Sequence, residues 1–357
     1  MSFKCGIVGL PNVGKSTLFN ALTASKQALA ENFPFCTIDP NIGIVSVPDE
    51  RLSKISKISK SLKTISATIT FVDIAGLVKG ASKGEGLVNK FLSHVREVDT
   101  IVHLTRCFDS EKIQNTNKDV DPIRDIEIIE TEILLADLES LQKRLEKNNK
   151  KKLEKEELNF LEDCLKLVND GKNTDELKKK YGKNLIKKSG LLSLKPRIIV
   201  CNVDEKSLPE GNKYSDQCIK KFPNENVLVV CADIEDQIMG LQSKDREEFM
   251  LESGIKNTGL NNLIKTGYTT LGLSTFFTSG PEESKAWTVE NNSKAPEAAG
   301  VIHTDFKKKF IKAETVSHLD FIKYNGFSEC KNIGKLRIEG KDYTVKDGDV
   351  MLFRTNA

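Results

Sequence analysis

The sequence predicts an α/β protein built on a doubly wound, mostly parallel sheet, with a helical insertion and a smaller C-terminal module. Three observations support this class. Short apolar runs alternate with segments of helical periodicity, as expected for strands buried on both faces and joined by crossover helices. Two long amphipathic patterns interrupt the alternation, and short β-rich pieces with Gly and Asp turns follow it. The length of 357 residues also favours several domains.

Five apolar runs predict the buried strands. They are Cys5–Leu10, Ile69–Val72, Thr100–Leu104, Arg197–Asn202 and Val227–Ala232. Helical periodicity over Ser16–Ala24 predicts a helix directly after the first run. Because crossovers between parallel strands are right-handed and short, one open sheet is the simplest topology for these elements.

Residues 123–190 are predicted to be a helical insertion that divides the sheet domain into residues 1–122 and 191–272. Apolar residues recur at helical spacing on both sides of a lysine-rich break at Asn148–Lys152. They are Ile126, Ile129, Ile133, Leu134, Leu138, Leu141 and Leu145, then Leu153, Leu158, Leu161, Leu165 and Val168. The pattern fits a projecting antiparallel hairpin with a basic tip, or two helices packed on the sheet. Residues 273–357 are predicted to be a separate α+β module.

Composition favours a soluble globular protein with a charged surface, since 38% of residues are hydrophobic and 29% are charged. No apolar run approaches the roughly 18 residues of a membrane span, and the N-terminus lacks a signal-peptide pattern, so we expect a cytoplasmic protein. The eight cysteines include no C-x-x-C pair, so neither zinc nor a disulfide framework is expected. Cys5, Cys201 and Cys231 lie in apolar runs and are interpreted as small buried hydrophobic residues.

The strongest chemical signal lies between the first predicted strand and the first helix. Its sequence, Gly9-Leu10-Pro11-Asn12-Val13-Gly14-Lys15-Ser16-Thr17, fits G-x-x-x-x-G-K-[ST] in the context that a phosphate-binding loop requires. The glycines let the backbone N–H groups approach phosphates, and the helix adds its positive end. Lys15 is predicted to contact the β- and γ-phosphates, and Ser16 to bind Mg²⁺. The predicted nucleotide ligands here are Asn12, Val13, Gly14, Lys15, Ser16 and Thr17.

Two further segments complete the predicted phosphate and metal site. Asp73-Ile74-Ala75-Gly76 fits D-x-x-G, in which Asp73 would hold Mg²⁺ through water and the Gly76 N–H would sense the γ-phosphate. Thr37 is predicted to close over the nucleotide as a second protein ligand of Mg²⁺, with a structural turn as the alternative. The predicted catalytic residues are therefore Lys15, Thr37 and Gly76. The segment 76–90 is predicted to be a loop that orders with nucleotide state.

The sequence offers no obvious partner for an attacking water. Leu77 stands where Ras-type GTPases place a glutamine that orients this water, so slow unaided turnover is predicted. Asn12 is a candidate ligand for a monovalent cation such as K⁺, which would supply charge stabilisation. The alternative is that Asn12 only braces the loop.

The base-reading segment is predicted at Asn202-Val203-Asp204-Glu205, where GTPases carry N-K-x-D. Val203 replaces the lysine, and Glu205 replaces the aspartate that accepts two hydrogen bonds from guanine. The longer carboxylate would crowd guanine, whereas Asn202 and the backbone near Val203 could serve adenine. Backbone N–H groups of Cys231 and Ala232 are predicted to complete the pocket. A preference for ATP over GTP follows.

Together these residues resemble the Obg-like ATPase family of translation factors, of the YchF type. Further points of resemblance are Asn32–Asn41, Asp73–Ala81, Ala286-Trp287-Thr288, His303-Thr304-Asp305-Phe306 and Glu339–Val350. The resemblance covers nearly the whole chain and is weakest in the helical insertion. It implies a P-loop NTPase domain, a helical coiled-coil insertion and a C-terminal β-grasp domain of the TGS type at residues 273–357.

The resemblance also implies a Mg²⁺-dependent ATPase that associates with the ribosome or its large subunit, through the helical tip or the TGS domain. One departure concerns a histidine that several family members carry after the third strand. The aligned residue here is Asn115, whose amide can orient water but cannot exchange a proton.

Two alternatives stay open: a GTPase of the ribosome-assembly type, and a ribosome-binding module in which the nucleotide is structural. Lysine clusters at 150–152, 178–180 and 307–309 are either RNA contacts or solvated faces.

Overall fold

The computed structural model describes residues 3–24, 41–75, 85–110, 119–146, 154–170, 175–253 and 257–356. The chain divides into two compact units. The larger unit comprises Lys4–Gly43 and Phe71–Leu260, and the smaller unit comprises Met1–Phe3, Ile44–Thr70 and Asn261–Ala357. The three-domain division drawn from the sequence stays a prediction. Across the described residues, no helix combines the length and apolar character that a membrane span requires.

Twelve strands in the described part of the chain form two six-stranded sheets. In chain order they are β1 Lys4–Val8, β2 Ile42–Ser46, β3 Lys63–Ile65, β4 Thr68–Asp73, β5 Thr100–Arg106, β6 Arg197–Asn202, β7 Asn226–Val230, β8 Leu273–Ser279, β9 Glu283–Glu290, β10 Phe310–Ser317, β11 Arg337–Glu339 and β12 Asp349–Thr355. One sheet has the order β2-β4-β1-β5-β6-β7, and the other β11-β10-β12-β8-β9-β3.

Fifteen α-helices lie within the same residues. They are α1 Lys15–Ala24, α2 Glu50–Ser59, α3 Glu85–Glu97, α4 Pro122–Leu145, α5 Lys155–Asn169, α6 Asp175–Lys180, α7 Lys183–Ser189, α8 Lys213–Lys221, α9 Ala232–Gly240, α10 Ser243–Glu252, α11 Gly259–Thr270, α12 Ala295–Ile302, α13 Thr304–Lys308, α14 His318–Lys323 and α15 Phe327–Asn332. A short 3-10 helix at Glu205–Ser207 follows β6.

The predicted α/β class is confirmed by the parallel pairing of β1 with β5, β5 with β6, and β6 with β7. All seven residues of β5 are buried, as expected for a central strand covered on both faces. The sequence analysis missed β2, which is short and follows a segment interpreted as a loop. It also placed a loop over 76–90, but α3 begins at Glu85, so the end of that prediction is wrong.

The helical insertion has two different packing environments, because the two halves of α4 belong to separate cores. Near its start, Ile126 packs with Ile199 and Ile238 of the sheet region. Near its end, Leu141 packs with Phe160, Leu161 and Cys164 of α5 and with further apolar residues. Each of the two interpretations of the insertion therefore describes one half of α4. The predicted basic tip at 148–152 lies outside the described residues.

A buried carboxylate fixes the segment through which the chain leaves the helical insertion. Asp137 of α4 accepts hydrogen bonds from the backbone N–H groups of Leu192, at 2.9 Å, and Ser193, at 2.8 Å. Burial raises the pKa of Asp137, while the two backbone N–H groups act in the opposite direction. The chain that returns to β6 is thereby held against α4.

The smaller unit is built on a mixed sheet. β8 and β9 are antiparallel, β12 is antiparallel to β10, and β12 is parallel to β8. Trp287 donates its indole N–H to Thr278 Oγ1 at 2.9 Å and stacks on Phe276, so it packs within this unit. His303 caps α13, since its Nδ1 accepts the Asp305 N–H at 3.2 Å. The β-grasp description of this module stays a prediction.

Phe160→Ala tests the separate core of the insertion. Phe160 is fully buried and meets the Tyr181 ring edge-on at 5.0 Å between centroids. Removing it should lower the free energy of unfolding by about 3–5 kcal/mol, because a cavity replaces the ring. Urea unfolding followed by circular dichroism measures the change. The matched control is Leu135→Ala, at a side chain of α4 that is 50% exposed, with an expected change within about 0.5 kcal/mol.

Candidate nucleotide-binding site

The loop between β1 and α1 requires glycine at two positions. A Cβ on Gly9 would lie 2.7 Å from the carbonyl oxygen of Leu104. Gly14 has a φ of +91°, and a Cβ there would collide with Asn202 Nδ2. Both positions therefore exclude larger residues, and the backbone can curve closely around a ligand.

This loop forms one wall of a cavity of about 680 Å³ in the larger unit. The cavity is lined by Leu10, Pro11, Asn12, Gly14, Lys15, Ser16, Thr17, Phe108, Asn202, Val203, Asp204, Glu205, Cys231, Asp233, Ile234 and Gln237. Helix α1 begins at Lys15, so the N–H groups of its first turn have no partners within the helix. The positive end of α1 and the ammonium of Lys15 make this wall suited to an anion.

Lys15 forms an ion pair with Asp73, in which its Nζ donates to Asp73 Oδ1. The side chains are 14% and 19% exposed, so the pair is largely shielded from water. The structure thus brings together the ends of two sequence motifs that the chain separates by 58 residues. Ser16 lies in the same first turn of α1 and is exposed to solvent.

Asn202 connects the glycine loop to helix α9. Its Nδ2 donates to the carbonyl oxygen of Val13 at 2.9 Å, and its Oδ1 accepts the N–H of Ala232 at 2.9 Å. The residue is 5% exposed. Each end of the amide therefore makes one hydrogen bond within the protein, which gives Asn202 a positioning role. Its contact with a base stays a prediction.

The other residues predicted to form the base site differ in how far they are buried. Val203 is 2% exposed, and its N–H donates to the carbonyl oxygen of Val230 at 2.9 Å. Glu205 is exposed and begins the 3-10 helix. Cys231 is buried, which raises the pKa of its thiol. The Ala232 N–H donates to Asn202, so the prediction that this group completes the base pocket needs correction.

Phe108 is a cavity residue that the sequence analysis missed. Arg106 holds it in place, because the guanidinium carbon lies 4.7 Å from the centre of the Phe108 ring and Nε donates to the Phe108 carbonyl at 3.0 Å. Phe108 follows β5 by two residues. The carboxyl ends of parallel strands meet at one edge of the sheet, so this position could have been found from the predicted strand. Asp233, Ile234 and Gln237 were missed because they lie on α9.

Several predicted site residues lie outside the described residues. They are Thr37, Gly76 and Leu77, together with Asn115. Their roles stay predictions. Within the described residues, the loop 9–17, Asp73 and the segment 202–205 converge on the region around one cavity, as the motifs indicated.

Comparison with known proteins gives matches over both ends of the chain. Residues 4–129 match a family model described as 50S ribosome-binding GTPase, and residues 273–356 match the YchF-GTPase_C model, described as a protein of unknown function (DUF933). The chain is 49% identical to the ribosome-binding ATPase YchF of Escherichia coli O157:H7 and 46% identical to that of Bacillus subtilis strain 168. Both alignments cover 100% of this chain and of the relative.

The chain belongs to the YchF family. A solved structure of the Schizosaccharomyces pombe YchF GTPase superposes with a TM-score of 0.88 and 36% identity, over 99% of this chain and 98% of the other. The bacterial relatives are named ATPases, whereas the yeast protein is named a GTPase.

Asn202→Ala tests the connection between the glycine loop and α9. The substitution leaves the Val13 carbonyl and the Ala232 N–H buried without partners, which should cost about 1–3 kcal/mol of folding stability. The loop loses its support, so nucleotide affinity should fall by about tenfold or more. Thermal unfolding and titration with a fluorescent nucleotide measure the two effects. Asn20→Ala, at an exposed asparagine of α1, is the control. Unchanged affinity in a folded Asn202→Ala protein would contradict the role.

Proposed function

We propose that this protein is a Mg²⁺-dependent ATPase that associates with the ribosome and acts in the cytoplasm. The observation that carries the proposal is the cavity in which the phosphate loop faces the 202–205 segment, whose residues depart from the guanine-selective pattern. The bacterial relatives at 49% and 46% identity are named ribosome-binding ATPases, which supports the same activity here.

The residues around Lys15 fit a magnesium–triphosphate. Ser16 offers a hydroxyl and Asp73 a carboxylate, which are the hard oxygen donors that Mg²⁺ prefers. Thr37 would add a second hydroxyl. Ser16, Asp73 and Thr37 would hold the Mg²⁺, which would neutralise charge that develops during hydrolysis. Asn12, with a φ of 65° at the curve of the loop, is the proposed neighbour of a K⁺ ion.

We propose that the ion pair between Lys15 and Asp73 takes part in nucleotide binding. Within the pair, each charge neutralises the other in a largely shielded site. A triphosphate competes with Asp73 for the Lys15 ammonium. Once Lys15 has left the ion pair, the Asp73 carboxylate is free to interact with the metal ion. The Gly76 N–H then senses the γ-phosphate. Because neither Leu77 nor Asn115 can accept a proton from water, unaided turnover is slow.

Base selection is assigned to residues other than Asn202. Val203 and Phe108 form apolar surface in the cavity, and the exposed carboxylate of Glu205 stands at its edge. We propose that Glu205 disfavours guanine because it replaces the aspartate of N-K-x-D with a longer side chain. The alternative is a GTPase whose base site accepts guanine despite Glu205. The name of the yeast protein, a GTPase, favours this alternative.

Glu205→Asp separates the two nucleotide assignments. If Glu205 disfavours guanine, shortening the carboxylate should shift the ratio of ATP to GTP dissociation constants by about tenfold toward GTP, while the wild-type protein prefers ATP. Competition binding with Mg²⁺, in the presence and absence of K⁺, gives the ratio. Glu210→Asp makes the same change at an exposed position that does not line the cavity and should leave the ratio unchanged. A wild-type preference for GTP would instead establish the GTPase.

Ribosome association is proposed to use basic surface of the C-terminal module. Lys307, Lys308 and Lys309 are exposed in sequence succession at the end of α13. Ammonium groups displace counterions from RNA phosphates, so such a cluster favours RNA contact. The helical tip remains the other proposed contact.

Alanine at Lys307, Lys308 and Lys309 together should weaken co-sedimentation with ribosomes and reduce its salt dependence. The control replaces the exposed Lys54, Lys57 and Lys63, which changes the net charge by the same amount.

Lys15→Ala should abolish ATP binding, and co-sedimentation should then stop responding to ATP or ADP. If wild-type co-sedimentation is already indifferent to nucleotide, the binding module with a structural nucleotide becomes the better description.

A further inference from the structure

Three cysteines that are far apart in the sequence converge in the larger unit. Cys107 follows β5, Cys201 lies in β6, and Cys218 lies in α8. Their Sγ atoms all lie within 4.8 Å of one another, and all three residues are fully buried. In the described part of the chain, no other group of three cysteine, histidine or acidic residues gathers its ligand atoms in this way.

The scaffold holds this three-thiol cluster in place. The Cys107 N–H donates to the Asn202 carbonyl at 2.8 Å, and the Cys107 carbonyl accepts from Asn212 Nδ2 at 2.7 Å. Cys201 is fixed within the parallel ladder between β5 and β7. The backbones that carry Cys107 and Cys201 are therefore fixed by the sheet and by the loop that follows β5.

The surroundings of the cluster are apolar. The same core contains Ile126, Ile199, Val203, Ile234 and Ile238. A charged complex would be costly to form in this environment. Hydrogen bonds with Cys201 and Cys218, together with burial, raise the pKa of Cys107, whereas hydrogen bonds with Cys107 and Cys201 lower the pKa of Cys218.

The donor set defines the chemistry of a suitable ligand. Thiol sulfur is a soft donor and selects soft ions over Mg²⁺ or Ca²⁺. Structural zinc takes four protein ligands, whereas this group offers three. Three thiolates around a divalent ion would also leave a net negative charge in the core. A trivalent ion that binds three thiolates leaves none.

We propose that Cys107, Cys201 and Cys218 form a binding site for one thiophilic trivalent metalloid, of which arsenite is the probe. In the reaction, As(OH)₃ and three thiols give an As(SR)₃ complex and three water molecules. Three S–H bonds and three As–O bonds break, and three As–S bonds and three O–H bonds form. No oxidant or reductant is consumed, and both the reactants and the complex are uncharged.

Val203 connects the cluster with the nucleotide cavity, since it belongs to the same apolar core and also lines that cavity. A neutral ligand such as As(OH)₃ would enter this core at a lower cost than a charged one.

The test uses the full-length protein, reduced with a phosphine and titrated with arsenite. Native mass spectrometry should show one arsenic per chain, with a mass increase of one arsenic atom less three hydrogens. Cys218→Ala should weaken binding by about tenfold or more, because one of three bonds is lost. The matched control is Cys164→Ala, at a buried cysteine of α5 outside the cluster, which should bind like the wild type. Equal binding by folded Cys218→Ala and wild type would overturn the proposal.

A second measurement needs no variant. X-ray absorption at the arsenic edge of the wild-type complex should show three sulfur neighbours. Oxygen atoms among the atoms bonded to arsenic would overturn the site. Failure of the folded wild-type protein to take up arsenic would also overturn it. A parallel titration with Zn²⁺ should give weaker binding than arsenite, since the fourth ligand is missing. Tighter binding of Zn²⁺ than of arsenite at these cysteines would overturn the assignment to a trivalent ion.

Discussion

The amide of Asn202 is the contact on which the site depends. It holds the Val13 carbonyl on one side and the Ala232 N–H on the other, so a single planar group sets the distance between the phosphate loop and α9. The same contact explains the strict need for glycine at position 14, because any Cβ there would occupy the place of the amide nitrogen. The phosphate loop and α9 are therefore linked by one pair of buried hydrogen bonds, where losing a partner is costly.

Sequence reasoning succeeded where the determining contacts are local. A strand, two glycines at fixed spacing and a helix define the phosphate loop within about twenty residues, because each of these features restricts its own neighbours. The strand β5 was found for a similar reason, since burial on both faces leaves a continuous apolar run. The start of helix α3 was included in a predicted loop because Gly, Ser and Lys dominate residues 76–90, although Phe91, Leu92 and Val95 are buried within the helix.

The partners of individual side chains could not be predicted in this way. The amide of Asn202 and the carbonyl of Val13 are 189 residues apart, and the sequence contains no pattern that links them. The cysteines show the same limit. Without a C-x-x-C pair they were interpreted one at a time, as small hydrophobic residues, which is correct for Cys5 and Cys231. For Cys201 it is incomplete, because the sheet and α8 bring two further thiols to its side.

We propose that base selection involves two sets of residues. One residue, Asn202, supports the phosphate loop, and the residues after it select the base. In N-K-x-D proteins one short motif is associated with both tasks, and its first residue is retained here as Asn202. The support is thus preserved, while the residues after it have changed to Val203 and Glu205. A chain can change its preferred purine by this route without disturbing the phosphate loop, because the hydrogen bonds that shape the loop come from the unchanged residue. The hydrogen bonds of Asn202 thus separate the shape of the phosphate loop from the proposed choice of base.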